Sequence, residues 1–187
     1  MKMRAIIVHG WRGYSEKGWL PWLKRELETR GFEVSIPQLP PSDKKINIWV
    51  RELESSVGTP DDRTFLVGHS IGCQTIVRYL ERLPEGVKIG GIVFVAGFLK
   101  PIRNHSDMRE INENWVAQPL NFKKVKMHFD KSVAIFSDDD PYISLDNQSE
   151  FKDKLGSEIV IEHKHKHLIG EPELPSVLNA VLKISTK

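Results

Sequence analysis

The stretch TFLVGHSIGCQTIVRYL, residues 64–80, decides the fold of this chain. Its first part, Thr64–Gly68, is an apolar run typical of a buried strand, and the part from Ile71 onward has the apolar spacing of a helix. The joint between them has the pattern G-x-S-x-G, in which the serine is Ser70. So tight a turn projects the serine hydroxyl from the top of the sheet and brings the Ile71 amide to face a developing oxyanion. The stretch predicts a nucleophile elbow, although a glycine-rich turn that only needs small residues has the same pattern.

Length and composition are those of a soluble globular protein. The chain has 187 residues, 40% of them hydrophobic and 28% charged, so we expect one domain over residues 1–187 with a sizeable core. The formal net charge of +2 does not favour binding to nucleic acid or to an anionic membrane. A single cysteine, Cys73, excludes an internal disulfide and fits a reducing compartment. The first apolar run, Ala5 to Val8, is too short for a signal segment or a membrane span, so we expect a cytoplasmic protein.

Strand-like and helix-like stretches alternate along the chain, which predicts a mostly parallel sheet with helices on both faces. The predicted strands are 3–9, 32–36, 64–68, 89–96, 132–136 and 158–163, and the predicted helices are 19–30, 46–57, 71–83, 122–129, 145–155 and 175–184. Residues 98–118 are less regular, and their conformation is not predicted. In such a three-layer α/β fold of six strands, ligands bind at the carboxyl ends of the strands. The loops after the first, third, fifth and sixth strands all open at that edge.

These loops contain the partners that a reactive serine needs. A serine hydroxyl becomes a nucleophile when a base removes its proton, and that base is usually a histidine oriented by a carboxylate. Of the three aspartates after the fifth strand we favour Asp140, because it precedes Pro141-Tyr142-Ile143 and similar hydrolases place the acid in such a turn. Asp139 is the alternative and Asp138 is less favoured. An acidic turn in which one aspartate caps the next helix is the structural alternative.

Three histidines, His163, His165 and His167, alternate near the end of the chain and would share one face of an extended segment. Such a set could indicate zinc, but the intervening Lys164 and Lys166, and the absence of a carboxylate or cysteine at a metal-ligand spacing, argue against a metal site. We expect His167 to be the base, because it stands at the end of the strand and before the last helix. His165 is the alternative, and His163 is expected to end the strand itself.

The loop after the first strand, His9-Gly10-Trp11-Arg12-Gly13, is expected to complete the oxyanion hole. Glycines let the backbone approach closely, so the amide of Trp11 is the expected second donor beside that of Ile71. His9 is expected to hold this loop, with a direct acid–base role as the minor alternative.

The predicted substrate-contacting residues are His9, Gly10, Tyr14, Trp19 and His69. The aromatic side chains of Trp11, Tyr14 and Trp19 near the expected mouth favour an apolar or aromatic substrate group. A place in the core is an equal alternative for Trp19.

With these residues in place, the chain resembles the small serine hydrolases of the retinoblastoma-binding protein 9 family and their bacterial YdeN-like relatives. The resemblance runs nearly end to end and includes Gly18-Trp19, Trp22–Leu27, Gly68-His69-Ser70, Asp139-Asp140-Pro141 and the late His167 before a closing helix. It implies an α/β-hydrolase fold with little or no lid and a triad that falls on Ser70, Asp140 and His167. No metal and no organic cofactor is implied.

The chain departs from the family pattern at two positions. Ser144 stands where a proline is common after the acid, and Lys166 stands where a glycine usually precedes the histidine. The retinoblastoma-binding L-x-C-x-E motif of the vertebrate namesake is absent, since Cys73 lies within Ile71-Gly72-Cys73-Gln74-Thr75. We therefore do not expect that partner.

Together the residues predict a serine hydrolase that cleaves a small ester, thioester or amide through an acyl-enzyme, as a monomer or a small homo-oligomer. One alternative is a binding protein that keeps the fold without turnover, against which the intact Ser-Asp-His set argues. The other is an acyltransferase in which an alcohol or amine replaces water, and nothing in the sequence separates it from hydrolysis. The physiological substrate is not predicted.

Overall fold

The computed structural model of the protein describes residues 2–40, 45–102 and 109–186. Within these ranges six parallel strands form one sheet. The strands are β1 (Arg4–Val8), β2 (Glu33–Ser35), β3 (Thr64–His69), β4 (Gly91–Val95), β5 (Ser132–Ser137) and β6 (Glu158–Glu162). Their order across the sheet is β2-β1-β3-β4-β5-β6.

The helices of the described ranges are α1 (Leu20–Thr29), α2 (Ile46–Val57), α3 (Ile71–Arg82), α4 (Arg109–Ile111), α5 (Phe122–Lys126), α6 (Asn147–Leu155) and α7 (Pro175–Ser185). Both α1 and α7 have a proline in the first turn, where a missing N–H removes no helical hydrogen bond. The C-cap of α6 is Gly156 in the left-handed conformation. None of these helices has the length and apolar character that a membrane crossing requires.

Helices cover both faces of the sheet. Side chains such as Leu23 of α1 and Val181 of α7 join one apolar cluster, whereas Trp49 of α2, Ile76 of α3 and Phe151 of α6 join a second cluster on the opposite face. Strands β3, β4 and β5 are buried along their whole length, which explains why their sequences are continuous apolar runs. The expected three-layer α/β/α architecture is confirmed.

The strand order reverses at β1, and this reversal positions the site. The chain pairs β1 with β2 on one side and with β3 on the other, so the loops that follow β1 and β3 diverge and leave a crevice at the carboxyl edge. The register aligns Val8 with Gly68, and the backbone N–H of Ser70 donates to the carbonyl of Val95 over 2.9 Å. Ser70 thus lies at the centre of that edge.

The predicted elements are all present, with small differences at their ends. The strand predicted over 89–96 is confined to Gly91–Val95, and the helix predicted from Leu145 begins at Asn147. The segment 98–118 contains α4 followed by a π-helical turn, Asn112–Val116. Residues 103–108 of that segment lie outside the described residues.

Candidate active site

Ser70 lies in the tight turn between β3 and α3. Its backbone has a φ of 55° and a ψ of −119°, a conformation that residues other than glycine rarely adopt. A side chain on Gly72 would bring its Cβ to 2.4 Å from the carbonyl oxygen of Val8, so the close packing of α3 on β1 requires a glycine. This is the geometry of a nucleophile elbow, with the Ser70 side chain presented at the carboxyl edge of the sheet.

Side chains from three strand-end loops form one hydrogen-bonded chain. The hydroxyl of Ser70 donates to Nε2 of His167 over 3.0 Å, and the Nδ1–H of His167 donates to Oδ2 of Asp140 over 2.8 Å. Because a carboxylate only accepts, the hydrogen of the neutral imidazole is on Nδ1, and Nε2 is available for the Ser70 proton. The backbone N–H groups of Tyr142 and Ile143 donate to Oδ1 of Asp140 over 2.8 and 3.0 Å. The Asp140 side chain is 2% exposed, so its orientation is fixed by burial as well as by hydrogen bonds.

Asp139, the alternative acid, binds the backbone beside His167 rather than its ring. Its Oδ1 accepts from the hydroxyl of Ser137 and from the backbone N–H of Lys166, and its Oδ2 lies 2.8 Å from the Nζ of Lys166. The hydrogen bond from the Lys166 side chain lowers the pKa of Asp139 to about 2. Asp139 therefore binds the segment that contains His167, through the backbone and the charged side chain of Lys166.

Asp138 makes the same kind of backbone contact two residues earlier, at Lys164 instead of Lys166. It accepts from the Nδ1–H of His163 over 2.7 Å and from the backbone N–H of Lys164 over 3.0 Å. The hydrogen bond from His163 lowers the pKa of Asp138. We call Asp138 and Asp139 the outer aspartates, because both are more exposed than Asp140.

The three alternating histidines do not share one face, in contrast to the expectation for an extended segment. Strand β6 ends at Glu162, and the chain then turns through the left-handed residues Lys164 (φ 64°) and Lys166 (φ 51°). Each ring consequently meets a different carboxylate: His163 meets Asp138, His165 meets Glu171 and His167 meets Asp140. Across the described ranges, no group of three or more His, Cys, Asp or Glu side chains could hold a metal ion.

His9 fastens the loop after β1. Its Nδ1–H donates to the carbonyl of Gly10 over 2.8 Å, and its Nε2 accepts from the backbone N–H of Leu39 over 3.0 Å. Burial lowers the pKa of His9, which keeps the imidazole neutral. Both ring nitrogens are thus engaged with backbone groups, in agreement with a role in holding the loop.

A cavity of about 270 Å³ lies beside Ser70 and contains most of the predicted contact residues. Its walls include His9, Gly10, Trp11, Tyr14, His69 and Ile71. Further apolar walls come from Phe98, Ile102, Ile111, Tyr142 and Ile143, which sequence reasoning did not single out. Phe98 follows β4, and Tyr142 and Ile143 follow β5. Their place just after strands at the carboxyl edge is the signal that could have identified them.

Trp19, predicted to contact substrate, is not among the residues that line this cavity. Its side chain is fully buried, and its Nε1–H donates to the carbonyl of Leu168 over 2.6 Å. Its place in the core, the alternative, is what the structure has. The predicted substrate contact at Trp19 is therefore corrected: the indole is buried and bonded to the backbone next to His167, so it does not reach the cavity.

Two polar side chains fasten the apolar wall that contains Ile102. The side-chain amide of Asn112 accepts from the N–H of Ile102 over 2.8 Å and donates to its carbonyl over 3.0 Å. The buried guanidinium of Arg78, on α3, donates to the carbonyls of Trp115 and Gln118. Burial lowers the pKa of Arg78, and the charge of the nearby Glu81 partly opposes that shift.

The chain belongs to the serine hydrolase family, whose sequence model matches residues 5–175. It is 26% identical to the putative hydrolase YdeN of Bacillus subtilis over 100% of this chain and 98% of that protein. It is 25% identical to the serine hydrolase RBBP9 of Rattus norvegicus, over 83% of this chain and 82% of that protein.

Solved structures show the same fold. The crystal structure of the B. subtilis ydeN gene product has a TM-score of 0.91 at 26% identity, covering 98% of this chain and 99% of that one. Est1E from Butyrivibrio proteoclasticus has a TM-score of 0.76 at 14% identity, covering 98% of this chain and 88% of that one. The predicted resemblance and the assignment as a serine hydrolase with the α/β-hydrolase fold are thereby confirmed.

Proposed function

We propose that this serine hydrolase cleaves a small ester, thioester or amide through an acyl-enzyme on Ser70, with His167 as general base and Asp140 as the orienting acid. The observation that carries the proposal is the unbroken chain of hydrogen bonds from Asp140 through His167 to the Ser70 hydroxyl. A serine hydroxyl in contact with an imidazole of the right tautomer is an activated nucleophile.

Acylation follows from this geometry. The Ser70 Oγ attacks the substrate carbonyl carbon while its proton passes to Nε2 of His167, and the buried charge of Asp140 stabilises the resulting imidazolium. Trp11 and Ile71 line the cavity beside Ser70, and their backbone amides are the proposed donors to the oxyanion. When the carbonyl re-forms, the bond to the leaving group breaks and His167 returns its proton to that group.

Deacylation repeats the same steps with water. A water molecule loses a proton to His167 as its oxygen attacks the acyl carbon, and the Ser70 Oγ then leaves and regains the proton. The product is a carboxylic acid, and the enzyme returns to its starting state. Removal of one oxyanion donor from such a site costs about 10²–10³ in rate.

The cavity supports a small substrate with an apolar acyl or leaving group. Its volume of about 270 Å³ lies just below the range of about 300–1,000 Å³ that is usual for ligand pockets. Aromatic and aliphatic side chains such as Phe98, Ile111 and Tyr142 form much of the wall.

A fluorophosphonate probe tests the activated serine. We expect the folded protein to incorporate one phosphonyl group on Ser70, read by mass spectrometry of the intact chain and its peptides, and Ser70→Ala to incorporate none. Ser56→Ala is the matched control, because Ser56 lies on α2 with its hydroxyl bonded to the Glu52 carbonyl. A folded protein that remains unlabelled would refute the proposal.

Turnover of p-nitrophenyl esters separates the alternatives. Release of nitrophenol beyond one equivalent, lost in Ser70→Ala, is the expected result for a hydrolase. A burst that stops at one equivalent, but resumes when a small alcohol is added, would indicate acyl transfer instead. Labelling with no release from any acyl chain tried would favour a binding protein.

A further inference from the structure

Two buried rings donate hydrogen bonds to consecutive backbone carbonyls, those of His167 and Leu168. The Nε2–H of His69 donates to the carbonyl of His167 over 2.9 Å, and the Nε1–H of Trp19 donates to the carbonyl of Leu168 over 2.6 Å. The rings of Trp19 and His69 are themselves in edge contact, with centroids 6.3 Å apart. We call these two side chains the ring tether, and residues 163–168 the histidine loop.

The histidine loop has a backbone that needs such support. Lys166 and Leu168, directly before and after His167, have φ values of 51°, and Lys164 has 64°. Residues with a Cβ are disfavoured in this left-handed region, so the loop would relax to other conformations without contacts that oppose it. A relaxation of either neighbour would move the His167 ring away from Ser70.

His69 is suited to hold this position. It is 3% exposed, and its ring lies edge-on against the His167 ring at 4.9 Å. Burial lowers the pKa of His69 to about 3, so the ring is neutral and its one hydrogen is the one on Nε2. A Cβ on Gly10 would lie 2.8 Å from Nδ1 of His69, so the loop after β1 leaves room for this ring by having a glycine there.

We propose that His69 is a positioning residue for the general base: by donating to the His167 carbonyl it keeps Nε2 of His167 within hydrogen-bond distance of Ser70. This inference rests on the proposed roles of Ser70 and His167. His69 touches neither the reacting carbonyl nor the transferred proton, and it acts through the backbone of the histidine loop and through its edge contact with the His167 ring.

The test is His69→Phe, which retains an aromatic ring and removes the donor. The matched control is His128→Phe. His128 is also buried, and its Nδ1–H donates to the Val87 carbonyl over 2.8 Å. It is remote from Ser70 in the fold. We expect the rate of fluorophosphonate labelling at Ser70 to fall about 10- to 100-fold in His69→Phe, as for a small displacement of a catalytic group, and to be unchanged in His128→Phe.

Proton NMR adds a readout that general destabilisation would not move. The Nδ1–H of His167, bonded to Asp140, should give a far-downfield resonance in the wild type and in His128→Phe, and it should broaden or vanish in His69→Phe. His69→Gln, whose amide can donate to the same carbonyl, should recover part of the labelling rate. Equal losses in the two Phe variants, an intact resonance in His69→Phe, or no recovery in His69→Gln would each overturn the inference.

A second variant covers the case in which His69→Phe does not fold. Trp19→Phe removes the donor to the Leu168 carbonyl together with part of the buried indole, and we expect a slower labelling rate and a broadened His167 resonance there too. An unchanged rate and resonance in Trp19→Phe would overturn the inference. If the wild type itself is not labelled, the proposed function fails, whereas the resonance comparison still decides whether His69 holds the His167 ring in place.

Discussion

Buried, uncharged ring N–H groups hold one side of the histidine loop, and partly exposed carboxylates hold the other. The ring tether contacts the carbonyls of His167 and Leu168 with rings that are almost fully buried. The outer aspartates contact the N–H groups of Lys164 and Lys166, and the side chains paired with them are mostly exposed: 77% for that of His163 and 75% for that of Lys166.

The two sides therefore differ in how much each contact stabilises. Exposed ion pairs contribute little, because water and salt screen them and long side chains lose entropy when fixed. Removing a buried donor leaves its carbonyl unsatisfied, at a cost of about 1–3 kcal/mol. Although the acidic side has more hydrogen bonds and all of the charge, we expect the ring side to dominate the position of His167.

The largest effect is expected at Asp140, the one buried aspartate of the turn that follows β5. In Asp140→Asn the side-chain oxygen must stay with the N–H groups of Tyr142 and Ile143, so the amide NH₂ faces Nδ1 of His167. His167 must then place its hydrogen on Nε2, which can no longer accept from Ser70. We expect kcat/KM for a nitrophenyl ester to fall by about 10⁴, as for a triad with the wrong tautomer.

Asp138→Asn is the control for that measurement, because it removes a charge from the same turn without touching His167. Its activity should stay within about twofold of the wild type, as for loss of an exposed pair. Comparable losses in the two variants would contradict the division between buried and exposed members of the turn.

The second effect is on stability against pH, where the two sides titrate in separate windows. The pKa of His69 is about 3 in the folded protein against an ordinary 6.5, so between these values the unfolded chain binds more protons and the free energy of unfolding falls as the pH falls. The pKa values of the outer aspartates are lowered from 3.8, so their contribution is present above that pH and is lost only below it.

Urea unfolding followed by tryptophan fluorescence at pH 7, 6 and 5 measures the first window. His69 should contribute a slope of about 1.4 kcal/mol per pH unit below its unfolded pKa, and His69→Phe should lack that share. His9, whose pKa is also lowered by burial, adds a slope of the same sign that both proteins retain. Equal slopes for the wild type and His69→Phe would show that His69 does not stay neutral in the fold.

The smallest effect is expected for Asp139→Asn. The variant removes the charge opposite Lys166 but retains an oxygen that can accept from the Lys166 N–H. The labelling rate at Ser70 should change by less than about threefold, and the difference should shrink further in 1 M NaCl. A loss as large as that of His69→Phe would reverse the ranking of the two sides.

The sequence predicts the centre of the sheet well because strands β3, β4 and β5 are buried on both faces and mostly apolar. Thr64–Gly68 and Ser132–Phe136 are identified within one residue, since any interruption of such a run would bury a polar group. The roles of Ser70, Asp140 and His167 stay predictions until tested, but the edge of the sheet at which they meet follows from the topology alone.

The histidine loop shows where sequence reasoning stops. Left-handed backbone is usually signalled by glycine or asparagine, and here lysine occupies two of the positions, so alternation of the histidines wrongly indicates a shared face. The sequence does not distinguish the two roles considered for Trp19, because a tryptophan near a site can equally form a wall of the cavity or be a buried hydrogen-bond donor. The burial of its side chain and its contact with the Leu168 carbonyl, 149 positions away in the chain, distinguish the two.

The backbone of Ser70 has an evolutionary consequence. A φ of 55° disfavours any side chain by an amount of order 1–3 kcal/mol, and glycine alone is relieved of most of that burden. Replacement of Ser70 by glycine would thus remove the nucleophile and strengthen the fold in the same step, whereas alanine would remove the nucleophile and keep the strain. Selection for turnover has to oppose a substitution that selection for stability alone would welcome. In a lineage that no longer needs the reaction, we expect Ser70→Gly to be favoured, because it inactivates the enzyme and raises the free energy of unfolding in one substitution.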